Sequence, residues 1–172
     1  METLKQKILD VPDFPEKGII FRDVTPLLSD PKSFKTAIDI FINRYCLKQI
    51  DAICAVESRG FFLAAPLAYQ LGKGLHLIRK QGKLPRRVHT KQYALEYGSA
   101  TLELHQDELK KGARVLLIDD LLATGGTAQA AAQLVEQAEG KVVEIAFLIE
   151  LLYCKGRERL KNYPIFSIIE YE

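Results

Sequence analysis

The sequence predicts an α/β fold, an open and mainly parallel sheet flanked by helices. Three observations carry that reading. Short, wholly apolar runs such as Ala52–Val56 and Val115–Ile118 are what strands buried on both faces of a parallel sheet look like. Helical and strand signals alternate through the middle of the chain, the pattern of βαβ units. The 172 residues, 48% hydrophobic and 27% charged, suffice for one sizeable core, so residues 1–172 are read as one domain.

Taken in order, residues 1–30 are rich in turn signals (Pro12, Pro15, Gly18, Pro26, Asp30-Pro31) and read as irregular structure around a short Ile19-Ile20-Phe21 strand. Asp30-Pro31 then supplies an N-cap and a proline at the first helical position. Phe34, Ala37, Ile38, Phe41, Ile42 and Tyr45 follow at the spacing of one apolar helix face. After the Ala52–Val56 strand, Gly60 to Leu71 reads as a helix stopped at Gly72. Leu75–Ile78 is the next strand. Residues 79–98 break the pattern, with Arg79, Lys80, Lys83, Arg86, Arg87 and Lys91 and no acid before Glu96. Ala100, Leu102 and Leu104 alternate with Thr101 and Glu103, which predicts a strand with one exposed face. A helix from about Thr127 to Ala138, ended by Gly140, and strands over Val142–Ile149 and Ile165–Ile169 complete the chain.

Charge and cysteine usage exclude several classes. A formal net charge of +2 gives no basis for nucleic-acid or anionic-membrane binding. No apolar run reaches the length of a membrane span, and Met1–Asp10 lacks a secretory h-region. Cys46, Cys54 and Cys154 have no zinc or CxxC spacing and read as reduced core thiols, which leads to the expectation of a cytoplasmic protein. His76 reads as structural and His105 as surface, while His89, like Arg86 and Arg87, stays without an assigned role.

The chemistry concentrates in Val115–Thr127, with the sequence VLLIDDLLATGGT. An apolar strand delivers Asp119 and Asp120 to the sheet edge, where open α/β sheets bind ligands. A loop of small residues then turns directly into a helix. Unpaired N–H groups at a helix N-terminus hold anions, and Gly125 and Gly126 let the backbone approach one closely. Thr124 and Thr127 add hydroxyls. The two carboxylates would repel a phosphate, so sugar hydroxyls or a divalent cation are their targets. An incidental strand-to-helix corner is the competing reading. The chain has no GxxxxGK[ST], no GxGxxG in a βαβ setting and no GxSxG.

This segment resembles the phosphoribosyl pyrophosphate signature of type I phosphoribosyltransferases, and within them the adenine branch. The resemblance implies that Asp119 and Asp120 serve ribose hydroxyls or a metal shell, and that Ala123, Thr124, Gly125, Gly126 and Thr127 cradle the 5-phosphate. Four further segments are similar to that branch. Gly18–Asp23 resembles the base-recognition part of an N-terminal hood (residues 1–30). There Phe21 would stack on the purine and backbone atoms of Ile20 and Arg22 would read its edge; a core phenylalanine in a hairpin is the alternative. Glu57–Phe61 resembles the pyrophosphate loop, with Ser58 and Arg59; a surface ion pair is the alternative for Arg59. In this family that loop often holds a non-proline cis bond. Arg79–Pro85 and Tyr93–Gly98 resemble the two ends of a flexible catalytic loop (residues 80–98). Arg79, Lys80 and Lys83 would face pyrophosphate, Glu96 would manage the proton on the base, and Tyr97 would help close the loop; a solvated basic face is the alternative. Glu150–Arg157 resembles the C-terminal stretch, where Leu151 would close the other face of the base, a role compatible with a core leucine.

The resemblance further implies a reaction between adenine and phosphoribosyl pyrophosphate giving AMP and pyrophosphate. It implies a homodimer, and Mg2+ held mainly by substrate with Asp119 or Asp120 as the protein's contribution. The same chemistry on hypoxanthine, guanine, xanthine or orotate, a non-catalytic sensor of phosphoribosyl pyrophosphate, and a pyrophosphokinase remain as alternatives. The last would need an ATP site, for which the sequence has no motif.

Overall fold

The computed structural model describes residues 2–94 and 98–172. In chain order the elements are α1 (Glu2–Lys5), β1 (Leu9–Pro12), β2 (Ile20–Asp23), α2 (Thr25–Ser29), α3 (Pro31–Tyr45), β3 (Ala52–Val56), α4 (Arg59–Leu71), β4 (Gly74–Lys80), β5 (Val88–Ala94), β6 (Ser99–His105), β7 (Arg114–Leu122), α5 (Gly126–Gln137), β8 (Lys141–Leu151) and β9 (Ile165–Tyr171). Two 3-10 turns, Leu152–Cys154 and Gly156–Leu160, link β8 to β9.

Seven strands form the main sheet in the order β5-β6-β4-β3-β7-β8-β9. The run from β4 to β9 is parallel, and β6 and β5 add antiparallel to its edge. Alternation along β7 divides the core in two. Leu116 and Ile118 pack with Phe41 of α3 and Leu63 and Leu67 of α4, whereas Val115 and Leu117 pack under α5. Both faces are therefore covered, which is why β3 is buried at every position. Helix α5 meets the sheet through Ala128, Ala130, Ala131 and Ala132, side chains small enough to bring the helix close.

The expected helices stand where periodicity places them. Asp30 is the N-cap of α3, although its carboxylate takes the Ser33 hydroxyl at 2.5 Å and no backbone N–H. Gly72 ends α4 in the left-handed conformation at φ 60°.

Four expectations need correction. Residues 1–30 are more ordered than their prolines imply, because β1 pairs with β2 in a separate two-stranded sheet flanked by α1 and α2. The basic segment read as a loop contains β5, which pairs with β6 from Val88↔His105 to Ala94↔Ser99. Strand β6 lacks the exposed face its alternation predicts, since Leu102 to His105 are all buried. Glu103 is buried and accepts the Gly82 N–H at 3.0 Å, and His105 is buried at 5% exposure, not at the surface. Finally, Cys46 lies exposed just beyond α3; of the three cysteines only Cys54 is deep in the core, and Cys154 is half-buried. His76, half-buried with Nδ1 3.7 Å from Glu108, fits its structural reading.

Glu144 pins the end of α3 to β8. Its carboxylate accepts Arg44 through Nε and Nη2 at 3.0 and 2.6 Å, and Lys48 Nζ at 2.9 Å. Burial alone would push this carboxyl up, but the hydrogen bonds from Arg44 and Lys48 outweigh it and hold the group at about 2. A depressed folded-state pKa supplies stability that is complete above the ordinary value of 4.5 and lost as pH falls towards 2. Replacing Glu144 by Gln should cost about 3 kcal/mol at neutral pH, because two cations lose a buried partner. Urea unfolding at stepped pH should show the gap between the two proteins closing across that acid window; a gap independent of pH would refute the assignment.

Candidate active site

The carboxyl ends of β3 and β7 open on a cavity of about 440 Å3. Strand β7 runs on through Asp119 and Asp120 to Leu122, so the acids lie within the strand and the loop shrinks to Ala123, Thr124 and Gly125. Helix α5 begins at Gly126, and its first-turn N–H groups face the cavity wall formed by Ala123–Thr127. Gly125 has φ 82°, and a Cβ there would stand 2.5 Å from the Gly156 carbonyl oxygen. The Ala123–Gly125 loop is thus seated against the 3-10 turn that begins at Gly156, and no larger residue fits at 125.

The acid pair occupies the cavity floor. Asp119 Oδ1 accepts the Asp120 N–H at 2.9 Å and lies close to Gly60 in the first turn of α4. The Asp119 side chain is partly open to the cavity but surrounded by protein, and burial followed by the neighbouring Asp120 charge raises its carboxyl well above the ordinary range. Burial also raises Asp120, and the Arg59 guanidinium partly offsets this. Arg59 Nε sits 2.8 Å from Asp120 Oδ2 in a charge contact without hydrogen-bond alignment, so Arg59 Nη1 and Asp120 Oδ2 are both buried and unsatisfied. Arg59 has an ion-pair partner, but it is a carboxylate of the site, not of the surface.

The other expected residues fall into three groups. Phe21, Ser58 and Lys80 line the same cavity, and the Arg59 guanidinium lies 4.9 Å from the Phe21 ring centroid. The Glu57–Ser58 peptide bond is cis. Arg79 and Lys83 stand behind the lining, on the Glu57 carboxylate, with Nη2 at 3.2 Å and Nζ at 2.6 Å. Ile20, Arg22 and Leu151 are not among the lining residues. The Arg22 side chain turns to Asp10 and lies 3.9 Å over the Tyr171 ring, leaving its backbone as the part compatible with reading a base. Leu151 is buried at the end of β8 in the α3–α4 core. Glu96 and Tyr97 lie outside the described residues.

Three residues of the site escaped the sequence reading. Glu57 was noticed only as the start of a motif. Tyr93 reaches from β5 so that its phenol oxygen is 3.4 Å from the Thr127 hydroxyl. Arg159 Nη1 would lie 3.5 Å from a Cβ on Gly126, beside the anion loop. Strand pairing brings in Tyr93, noticed before only as the start of the Tyr93–Gly98 motif, and a 3-10 turn far along the chain brings in Arg159, which no local pattern announces. Arg86, unassigned before, pairs with Asp107 at 2.7 Å and with Glu108.

Among the described residues no group of three potential metal ligands occurs. An unsatisfied Asp120 oxygen beside Asp119 is compatible with a divalent cation held chiefly by substrate oxygens.

A mainly parallel sheet with an anion loop after its central acidic strand defines a phosphoribosyl-transferring domain, and the phosphoribosyl transferase domain model matches residues 23–171. A curated relative, the adenine phosphoribosyltransferase of Syntrophotalea carbinolica, is 53% identical over 171 residues, covering 99% of this chain and 100% of the relative. The crystal structure of adenine phosphoribosyltransferase from Thermoanaerobacter pseudethanolicus superposes with a TM-score of 0.96 at 47% identity, covering 99% of both chains. The enzyme from Saccharomyces cerevisiae, complexed with an imino-altritol bisphosphate and adenine, superposes with a TM-score of 0.91 at 39% identity, covering 96% of each. The chain belongs to the adenine phosphoribosyltransferase family.

A raised carboxyl pKa has a stability consequence of opposite sign to that of Glu144. Asp119 favours folding at acid pH, and that contribution is lost as pH rises from its ordinary 3.8 through the higher folded value. Asp119→Asn keeps an acceptor for the Asp120 N–H and removes the charge conflict. It should melt about 2–4 °C higher at neutral pH, as roughly 1 kcal/mol does in a chain of this size, while losing turnover. Calorimetry at neutral and acid pH checks this; a lower melting temperature at neutral pH would contradict it.

Proposed function

We propose that this chain transfers the 5-phosphoribosyl group of phosphoribosyl pyrophosphate to N9 of adenine, yielding AMP and pyrophosphate in purine salvage. The observation that carries the reading is the convergence, on one cavity, of an acid pair, a helix N-terminus and the basic residues Arg59 and Lys80. The names of the relatives supply the base.

The displacement builds positive charge on the sugar and negative charge on the leaving group, so it needs positioning and charge stabilisation rather than a covalent nucleophile. The first turn of α5, with Thr124 and Thr127, holds the 5-phosphate. Asp119 and Asp120 take the ribose hydroxyls. Ser58, Arg59, Arg79, Lys80 and Lys83 bind the departing pyrophosphate and offset its charge. Phe21 stacks on the purine, backbone groups of Ile20 and Arg22 read its edge, and Leu151 backs its other face. Glu96 governs the proton on the base through N7 as N9 attacks, and Tyr97 helps exclude water. Asp119 or Asp120 would contribute to holding Mg2+, which when bound would neutralise charge on the departing pyrophosphate.

We further propose that the protein is a homodimer in the cytoplasm. Helix α4 supports the first point, since Phe62 and Tyr69 are 52% and 84% exposed and lie with Ala65 on one outward stripe. Among the described residues no helix is long and apolar enough to cross a membrane.

A panel of free bases with Mg2+ and phosphoribosyl pyrophosphate tests the reaction, following both nucleotide and pyrophosphate. AMP from adenine alone is the expected result, with turnover reduced at least about 100-fold in Glu96→Gln and in Asp119→Asn/Asp120→Asn. Turnover of a different base would overturn the role given to the hood. Tight binding of phosphoribosyl pyrophosphate without turnover of any base would indicate a sensor.

A further inference from the structure

Glu57 has no role in the reaction as described, yet it is the best-satisfied acid at the cavity. Its side chain is 7% exposed. One oxygen accepts Lys83 Nζ at 2.6 Å and Arg79 Nη2 at 3.2 Å, and the other accepts the Lys80 backbone N–H at 2.9 Å. Burial would push this carboxyl up, but those three donors hold it at about 2, so it is ionised throughout the physiological range. Every one of the donors belongs to Arg79, Lys80 or Lys83, the cations assigned to pyrophosphate, and Glu57 itself lines the cavity next to Ser58 and Arg59.

The donors also outnumber what Glu57 can satisfy. Arg79 Nε and Arg59 Nη1 are buried without partners. An anion in the cavity would complete Arg59, which lines it, whereas Arg79 stands behind the lining. Such an anion meets in Glu57 a fixed negative charge beside its own binding groups.

We propose that Glu57 competes with pyrophosphate for Arg79 and Lys83, and so limits how tightly the product is held. The inference rests on the pyrophosphate subsite proposed above. Without Glu57 the cations would be unopposed and the product would bind too well to leave quickly; with it, the subsite binds pyrophosphate only by displacing an internal counter-ion. Glu57 is thus a positioning residue that acts through Arg79 and Lys83. A purely structural carboxylate, one that merely assembles the cations, would have the opposite effect on affinity when removed.

Titration calorimetry with magnesium pyrophosphate distinguishes the two. Glu57→Gln keeps an acceptor for Lys83 and the Lys80 N–H while removing the charge, and should bind pyrophosphate about ten-fold more tightly than the unaltered enzyme. AMP, which carries no pyrophosphate group, should bind both proteins equally. Lys83→Gln should cost more affinity in the Glu57→Gln background than in the unaltered one, because there the ligand has Lys83 to itself. Equal or weaker pyrophosphate binding by Glu57→Gln, a parallel change in AMP affinity, or an equal cost of Lys83→Gln in both backgrounds would each overturn the proposal. Should neither protein bind pyrophosphate, the subsite assignment falls together with it.

Discussion

Strand β7 works under two demands that pull against each other. Its first half must be apolar on both faces, because α3 and α4 cover one side of the sheet and α5 the other. Its second half must carry two adjacent carboxylates to the point where the chain turns into α5. The change from Ile118 to Asp119 happens within one continuous strand. This fixes the acids relative to the anion loop, since a strand paired on both sides by β3 and β8 cannot shift without breaking the centre of the sheet. The hood, the basic arm and the final 3-10 turns are placed by reference to that strand.

Concentrating like charge on such a strand costs stability, and the site offsets it by pairing acids with bases drawn from elsewhere. Asp120 faces Arg59 of α4, and Glu57 faces Arg79 of β4 and Lys83 just beyond it. These pairs differ in quality. Glu57 is held by three hydrogen bonds and its pKa falls; the acid pair has only one misaligned cation and its members rise. An under-satisfied acid pair next to a well-satisfied single acid is what a site needs if the first is to take a ligand's hydroxyls or metal shell and the second is to hold cations in check.

How much of this was legible follows from the range of the forces involved. Apolar periodicity marks α3, α4 and α5, and the run Val115–Ile118 marks β7, because each reflects burial on a fixed face. The acids, glycines and threonines of the anion loop were readable because they are contiguous. What could not be read depends on pairing between distant segments. The Val88–Ala94 stretch is basic and polar, and it becomes a strand only because β6 offers it an edge. That same pairing carries Tyr93 to Thr127, and His105, whose sequence surroundings look solvent-facing, ends buried on β6. Arg22 looked like part of a base-reading segment, but its side chain is claimed by Asp10 and Tyr171 from the two ends of the chain.

The Tyr93–Thr127 contact shows why the arm belongs to the site and not merely to the sheet. At 3.4 Å it is a long hydrogen bond, worth little as a tether. Its importance is positional: the backbone at Ala94 and the ring of Tyr93 both lie within 4 Å of where a Cβ on Gly126 would be. A Cβ at 126 would meet both at ordinary contact distance, so β5 lies packed directly across the start of α5. Arg159 enters the same space from the 3-10 turn, on the opposite part of the chain. The start of α5 is thus the point where β5, the Ala123–Gly125 loop and a basic side chain from far along the chain meet, which places all three against the cavity that the acid pair floors.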